Sequence, residues 1–580
     1  LQVTALCIAL PNLRFPVDLS GGVQVFRHRR GQLQQMQLRV AYRDLLRRVQ
    51  QAWGQVANDG EPEQPRIWLG KDALHVGLLS DAGALAFDLL WAPDEDAVRV
   101  IVDNARGAGD VGVPLARALQ VMQAVLGPVA ARAGRVFTIE KFGAQLARFI
   151  FPLIGARAPE VRQARVSLLR GDAEGISWTV DPALTAPALS EHVLRKIEQS
   201  QLTQAGDDVL LAGDLDLARE RYLLALEQAP RHPHLAQLVA EIDLAVGGRA
   251  EAALSLLKEN VPLRLAGNVA AELLAPHDLS SAREVFEQSA RSEPFAALAA
   301  CWIARLAQLE PEPRARLAAL DRAIALAPSL SRVRKARIAA RVELGDVTAI
   351  LADAQHLEAA ARGIQQRHGV LCQVARTLLR HGWVRDAGRL FERALRYLPD
   401  DPDATAGLAR SFMVAGQPLR AIALLERAVA LDRKLGKLSP DAVLDLAQIL
   451  AKELGDLPQA VARVRQVPFD SPRVREARAL EAQWLAELGD ISGASLAYGR
   501  LRQALELLDE QLRGGDLQQA VQWLMKAAQF ERAQHELATA EQHLAVALRL
   551  APHDPQVQVE YRQAAADLAS ARRAERDALR

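Results

Sequence analysis

The sequence predicts two unlike parts in a multidomain chain. Residues 1–187 read as an α+β domain with a mostly antiparallel sheet, 188–555 as an all-α array of helical hairpins, and 556–580 as a closing helix. Three observations carry this reading. Before about residue 190 apolar residues repeatedly recur with a period near two, which puts one side of a strand in a core. From Glu191 onward helical periodicity replaces that pattern, and the helical part repeats itself at a 34-residue step. Composition agrees: 50% of residues are hydrophobic but only 4% aromatic, and small, unbranched apolar side chains suit helices in close contact. That apolar share excludes a disordered or collagen-like chain.

Leu33, Met36, Leu38 and Val40 open the strand pattern. Leu74, Val76 and Leu78 alternate, Gly83 interrupts, and Leu85, Phe87 and Leu89 alternate again. Pro93 and Asp94 read as a turn before the strand Val98–Val102. Val136–Ile139 and Val166–Leu168 follow, and Gly171-Asp172 turns the chain into Ile176–Val180 as a hairpin. Helical patterns over 42–53, 115–126 and 144–150 interrupt these strands, so the class is α+β and not all-β. The stretch Asp181–Pro187 marks the change of texture, with the boundary near 185.

The helical part has an internal frame. Counting from Gly213, Ala218 stands at +5, Tyr222 at +9, Ala225 at +12 and Pro230 at +17. The frame recurs at Gly382 with Ala387, Phe391, Ala394 and Pro399, at Gly416 with Ala421, Leu425 and Ala428, and at Gly489 with Ala494, Tyr498 and Leu501. Gly455 with Ala460, and Ala540 through Pro552, keep parts of it, and weaker copies surround Gly247 and Gly345. The spacing from Gly416 to Gly455 is 39, and it holds the insertion Arg433–Lys437. Glycine ends one helix at a positive-φ turn. The small residue at +5 lets the second helix approach the first, the larger one at +9 fills the gap, and proline stops the pair.

These positions resemble the tetratricopeptide repeat (TPR) family, whose unit ends in Gly-Asp followed by Ala, Phe, Ala and Pro at the same offsets. Leu408, Ala409 and Phe412 fit its first-helix marks, while its Trp position is generally replaced. The resemblance covers roughly residues 195–555 and implies a TPR-like α-solenoid of about ten units with a concave surface. It further implies a non-enzymatic protein-protein interaction scaffold or adaptor, which binds one or more partner proteins through peptide segments in the groove and assembles a larger complex. Projecting the family frame puts Arg332, Lys335, Arg376, Arg380 and Arg410 on the groove side, where they are set to clamp an acidic segment or a terminal carboxylate. The plainer reading of these five is solvated cations on helix faces. The N-terminal domain resembles no family we recognise.

Lys and Arg number 71 against 70 Asp and Glu, a net charge of +1. A whole-chain footprint for nucleic acid is absent, and no specific nucleic-acid binding is expected. The balance is uneven locally: residues 1–57 hold Arg14, Arg27, Arg29, Arg30, Arg39, Arg43, Arg47 and Arg48 against Asp18 and Asp44. Beside the compact apolar segment Phe149–Ile154, this basic start motivates a second reading. In it the N-terminal module contacts a lipid or apolar ligand near an anionic surface and is docked by the solenoid on a cell-envelope assembly. Cys7, Cys301 and Cys372 have no disulfide or metal spacing and read as three small buried hydrophobes. No run of 18 apolar residues occurs, so no transmembrane segment is expected. The chain opens on Leu1 and not Met; the cytoplasm is favoured over the periplasm or envelope without being fixed.

Gly107-x-Gly109-x-x-Gly112 is the one candidate for cofactor chemistry, with a strand before it, a helix after it and Glu140 beyond a second strand. The separation of strand and glycines and the distance to Glu140 disagree with a dinucleotide site. A flexible Gly-rich loop reads better, and no cofactor is expected. A nucleotide-dependent enzyme is therefore the weakest alternative. His232-Pro-His234 with Glu241 suggests a metal at first sight, but proline between the histidines favours a turn. No catalytic residue and no metal ligand is assigned.

Overall fold

The computed structural model describes residues 2–10, 31–57, 65–80, 83–153, 156–263, 266–328, 330–506 and 515–578. Of the basic start, Arg14, Arg27, Arg29, Arg30 and Asp18 lie outside the described residues, as do Leu1, Ile154 and Arg580. The chain forms two compact units, Leu1–Gly345 and Asp346–Arg580.

The first unit begins with β1 (Gln2–Ala9), β2 (Gln32–Ala41), α1 (Tyr42–Ala57), β3 (Arg66–Leu69), β4 (Ala73–Leu79), β5 (Gly83–Asp94) and β6 (Ala97–Gly109). It continues with α2 (Pro114–Leu126), β7 (Ala131–Ala133), β8 (Val136–Ile139), α3 (Phe142–Leu153), β9 (Arg165–Val166), β10 (Arg170–Gly171) and β11 (Gly175–Asp181). One sheet has the order β1-β2-β11-β10 with β9 beside β11; the other runs β3-β4-β5-β6-β8-β7. Every ladder between these strands is antiparallel.

Four strands, β1, β3, β7 and β10, go beyond the alternation read from the sequence. The turn expected at Pro93-Asp94 lies one step later. Both residues still pair in β5, and Glu95 takes the positive φ of 47° that closes the hairpin. The loop expected over 103–109 is strand, because Gly83–Asp88 of β5 pairs along it.

The six-stranded sheet is covered on both faces. Val76, Leu78, Leu85, Phe87, Val100 and Val102 face a core shared with Val49 and Trp53 of α1 and Leu115 and Leu119 of α2. Leu79, Ala84 and Ala86 belong to a second core with the helices of the repeats. Gly77 and Ala86 are cross-strand partners on that side. Along β5 the residues therefore alternate between large and small, not between apolar and polar, as a doubly covered strand requires.

The unit continues through α4 (Glu191–Ala212), α5 (Leu215–Gln228), α6 (Pro233–Val246), α7 (Ala250–Asn260), α8 (Gly267–Leu274), α9 (Leu279–Ser292), α10 (Ala296–Leu309), α11 (Pro313–Leu326) and α12 (Ser331–Leu344). The second unit holds α13 (Val347–Ala360), α14 (Ile364–Arg380), α15 (Val384–Tyr397), α16 (Pro402–Val414), α17 (Pro418–Lys434), α18 (Pro440–Glu453), α19 (Leu457–Val464), α20 (Val474–Glu487), α21 (Ile491–Glu506), α22 (Gly515–Ala533), α23 (Leu537–Leu550) and α24 (Pro555–Ala578). Strand pairing thus ends at Asp181, while the packing of the first unit runs on to Gly345.

The repeat frame acts as its chemistry dictates. Gly213 takes φ 89° and closes α4, and Asp214 accepts from the Leu217 amide to start α5. Asp456 and Asp490 do the same after Gly455 and Gly489. A Gly-Asp pair is therefore one helix stop joined to one helix start. Gly382 and Gly416 also have positive φ. Ala218, Ala387, Ala421 and Ala494 are fully buried, as are Tyr222 and Phe391, with Tyr498 nearly so. Pro230 and Pro399 follow the ends of α5 and α15. A Cβ on Gly407 would lie 2.4 Å from the Phe391 ring, so the wedge residue needs a glycine opposite it. Cys301 and Cys372 are buried as expected, but Cys7 is exposed on β1, the edge strand of its sheet.

Candidate functional site

In the first unit the end of β6 is seated on α8 and α10, the first helices of successive hairpins. The Gly107 carbonyl accepts from the Trp302 indole at 3.1 Å and from the Asn268 amide at 3.2 Å. Arg106 Nε donates to Glu293 at 2.7 Å. A Cβ on Gly77 would meet the Phe295 ring at 2.7 Å, so glycine permits this approach. Beside the seat lies a cleft of 560 Å³, lined by Gly107–Gly112, Glu241, Glu272, Cys301, Arg305 and Arg332 among others. Arg305 is paired with Glu272 at 2.8 Å. Burial pushes the Glu241 carboxyl up to about 7 and the Cys301 thiol up to about 11.

This geometry replaces the Gly-rich loop of the sequence reading. Gly107 and Gly109 end a strand that pairs antiparallel with both β5 and β8. A dinucleotide site needs a parallel βαβ crossover with the glycines in the first turn; here the Gly107 carbonyl is already taken by Trp302 and Asn268.

A buried ionic cluster fixes the sheet to the first repeats. Arg135, after β7, forms a two-pronged pair with Asp207 of α4 at 2.7 and 2.8 Å. Asp207 also accepts from Thr203 and from the Tyr222 hydroxyl. Lys196 of α4 reaches Asp103 of β6 at 3.0 Å, and these cations hold that carboxyl below its usual range despite its burial. His234 Nε2 sits 2.7 Å from Arg135 Nη1, and burial followed by the Arg135 charge takes its pKa down to about 3. The ring is neutral there and accepts from Arg135. His232 accepts from the Leu235 amide at the start of α6. Sequence reasoning gave Tyr222 its wedge role and missed its hydroxyl. It also missed Arg135 and Asp207, which 72 positions separate.

The five cations of the sequence reading fall in both units. Arg332 and Lys335 are on α12, the former beside the cleft and the latter exposed. In the second unit Arg376 and Arg380 stand one turn apart on α14, both exposed. Arg376 is 3.8 Å from Asp403 of α16, Arg410 of α16 is paired with Asp445 of α18 at 2.5 Å, and Asp441 of α18 is paired with Arg473 at 2.7 Å before α20. Burial raises the Asp445 carboxyl and Arg410 partly offsets it. A polar row thus joins successive first helices, with Arg380 lacking a carboxylate partner among the described residues. Beneath it Cys372 lies 3.5 Å from His368 Nε2, but burial pushes the thiol up to about 12, the reverse of what a nucleophile needs.

Helices paired by alanine, aromatic wedge and glycine stop define a helical-repeat protein. Residues 378–434 and 413–483 match the model of the family described as Tetratricopeptide repeat. Those residues are tetratricopeptide repeats, and the flanking helices continue their frame. Solved structures of the same kind are similar in fold. The C-terminal part of a TPR repeat-containing protein from Cytophaga hutchinsonii is 13% identical over 45% of this chain and 97% of its own, with a TM-score of 0.33. Yeast Tom70 is 15% identical over 58% of this chain and 65% of its own, TM-score 0.33. A thermophilic TPR protein from Thermus thermophilus is 23% identical over 34% and 98%, TM-score 0.24. No curated protein matches the chain in sequence. Tetratricopeptide repeats bind peptide or protein partners, and proteins built from them are typically non-enzymatic scaffolds. Among the described residues no helix is long and apolar enough to cross a membrane.

Proposed function

We propose that the chain is a non-enzymatic adaptor whose second unit binds an extended, acidic segment of a partner protein along α14, α16 and α18. The observation that carries this reading is the exposed pair Arg376 and Arg380 on a first helix, Arg380 inside the matched residues and Arg376 two positions before them. Arg376 is only loosely engaged, at 3.8 Å from an exposed Asp403. Arg410 is already paired with Asp445, so it orients the row and contributes less to an incoming carboxylate. Arg332 and Lys335 serve a separate contact on the first unit. Guanidinium groups one turn apart suit two carboxylates, or a side chain and a terminal carboxylate, of one peptide.

The test is a displayed library of short peptides screened against the full chain. Selected peptides are expected to be acidic or to need a free C-terminus, and Arg376→Glu with Arg380→Glu is expected to weaken them at least tenfold. Selection of peptides without acidic character, or equal binding by the double variant, removes this reading.

A further inference from the structure

The sheet-and-helix part of the first unit encloses a cavity of 770 Å³, bounded by both sheets and by α1, α2 and α3. That is inside the range of about 300–1,000 Å³ that small-molecule sites occupy. Elsewhere this core buries Leu78, Leu85, Phe87 and Phe137 completely. Interiors ordinarily leave few voids larger than a water molecule, so an apolar hollow of this size in a folded core calls for an occupant. Its wall is built from Val76, Leu89 and Val100 of the large sheet, Ile176 of β11, Met122 of α2 and Leu146 of α3. Trp91, Phe142 and Trp178, also lining it, form an aromatic corner with ring centroids 5.5 to 6.3 Å apart.

The lining changes character on one side only. Arg47, Arg48 and Gln51 of α1 and Phe149 of α3 line the cavity and are also exposed, so its mouth opens between these helices. Phe149 is 55% exposed, and Leu153, one turn further on α3, is 72% exposed. Asp44 is the one carboxylate among the lining residues. Among the described residues neither Arg47 nor Arg48 has an acidic partner. The site is therefore a hydrocarbon-lined chamber with two cations and an apolar shoulder at its entrance.

We propose that this cavity binds a single-chain amphiphile with an anionic head. The hydrocarbon lies against Trp91, Phe142 and Trp178, and the carboxylate or phosphate meets Arg47 and Arg48. Phe149 and Leu153 cover the first carbons of the chain at the mouth. Two guanidinium groups at the rim favour an anion over the corresponding alcohol, and a volume of 770 Å³ favours one chain over two.

The test uses the full protein stripped of lipid on a hydrophobic resin. It is titrated with cis-parinarate, a fluorescent long-chain carboxylate, and energy transfer from tryptophan is followed. Dodecanoate, dodecanol and lysophosphatidate are then used as competitors. Saturable binding with one equivalent is expected. Arg47→Glu with Arg48→Glu is expected to weaken dodecanoate and lysophosphatidate at least tenfold while leaving dodecanol unchanged. Leu146→Trp is expected to abolish all three by filling the chamber. The arginine variant changes exposed positions, so it stays informative even if Leu146→Trp does not fold. The ratio of dodecanoate to lysophosphatidate affinity distinguishes a free acid from a lipid headgroup as the source of the anion. Absence of saturable transfer overturns the proposal, as does an equal loss of acid and alcohol. Sedimentation with phosphatidylglycerol vesicles, with no lipid retained in native mass spectrometry, assigns the rim to a membrane surface and overturns it too.

Discussion

Two faces made from the same repeat serve different ends in the two units. In the first, α8 carries Asn268, α10 carries Trp302 and Phe295 stands just before α10, and these receive the small-residue side of a sheet and the carbonyl of Gly107. In the second, α14, α16 and α18 carry Arg376, Arg410 and Asp445, and the described residues of that unit are all in helices and their connections. The helix frame is common; what a face receives is decided by a few side chains at its exposed positions. Aromatic and amide donors beside small residues hold the chain's own backbone. Exposed charges hold water until another charge arrives. A repeat array can therefore be partly filled from within without losing its capacity to bind elsewhere.

The largest expected effect breaks the internally filled face. Arg135→Ala leaves Asp207 buried with only hydroxyl partners, which costs about 3–5 kcal/mol. Denaturant unfolding followed by hydrogen exchange is expected to show the loss over β6 and α4–α6, with α14–α20 unchanged. An equal loss in both regions ends the distinction drawn between them. Next comes a pH effect confined to the same face. The Glu241 carboxyl titrates near 7 in the fold, above its ordinary 4.5. The fold then holds a proton that the unfolded chain has released, so a penalty absent below 4.5 grows as pH rises and is complete above 7. Glu241→Gln removes it, with a gain on the order of 1–3 kcal/mol at high pH that vanishes at low pH. His234, taken down to about 3, has the opposite sign: its contribution is full above 6.5 and is lost as pH falls towards 3. Urea midpoints across that range separate the two, and a pH-independent gain in Glu241→Gln refutes the assignment.

Smaller still is Trp302→Phe. Asn268 continues to donate to the Gly107 carbonyl, so the cost is about 0.5–1.5 kcal/mol. Faster amide exchange over the end of β6 is expected, and unaltered exchange there disconnects the indole from the docking. The smallest effect belongs to the other face. Arg380→Ala is expected to change stability by less than about 0.5 kcal/mol; a larger loss measured by thermal unfolding makes the residue part of the fold and removes it from the partner surface.

The repeat was legible because its chemistry is local and recurrent. Gly213, Ala218 and Tyr222 lie within ten residues, and the same types return at Gly382, Ala387 and Phe391. Strands β4, β5, β8 and β11 were legible from alternation of apolar residues. The end of β6 was not, because Asp103, Asn104 and Arg106 interrupt that alternation while a partner strand supplies the hydrogen bonds. The seat of Gly107 on Trp302 joins positions 195 apart, and no local pattern encodes such a meeting. A signal did exist on each side: small residues at Gly77, Ala84 and Ala86, and one tryptophan in the alanine-rich α10. The cavity left a trace in Phe149, which stands out as a large apolar residue on an otherwise amphipathic helix. Its volume comes from the spacing of two sheets, and the sequence states that nowhere.

The 187 positions from Arg106 to Glu293 also set a clock. A ribosome adding about 5–20 residues each second needs roughly 10–40 s to cover that interval. Early in it β7 and β8 complete the sheet, and from then on Gly77, Ala84 and Ala86 face water while its cover, α10, has not yet been made. The nascent chain therefore passes through a stage in which a finished sheet has one bare side, and synthesis slowed between β6 and α10 is expected to lower the yield of native protein more than slowing beyond Gly345.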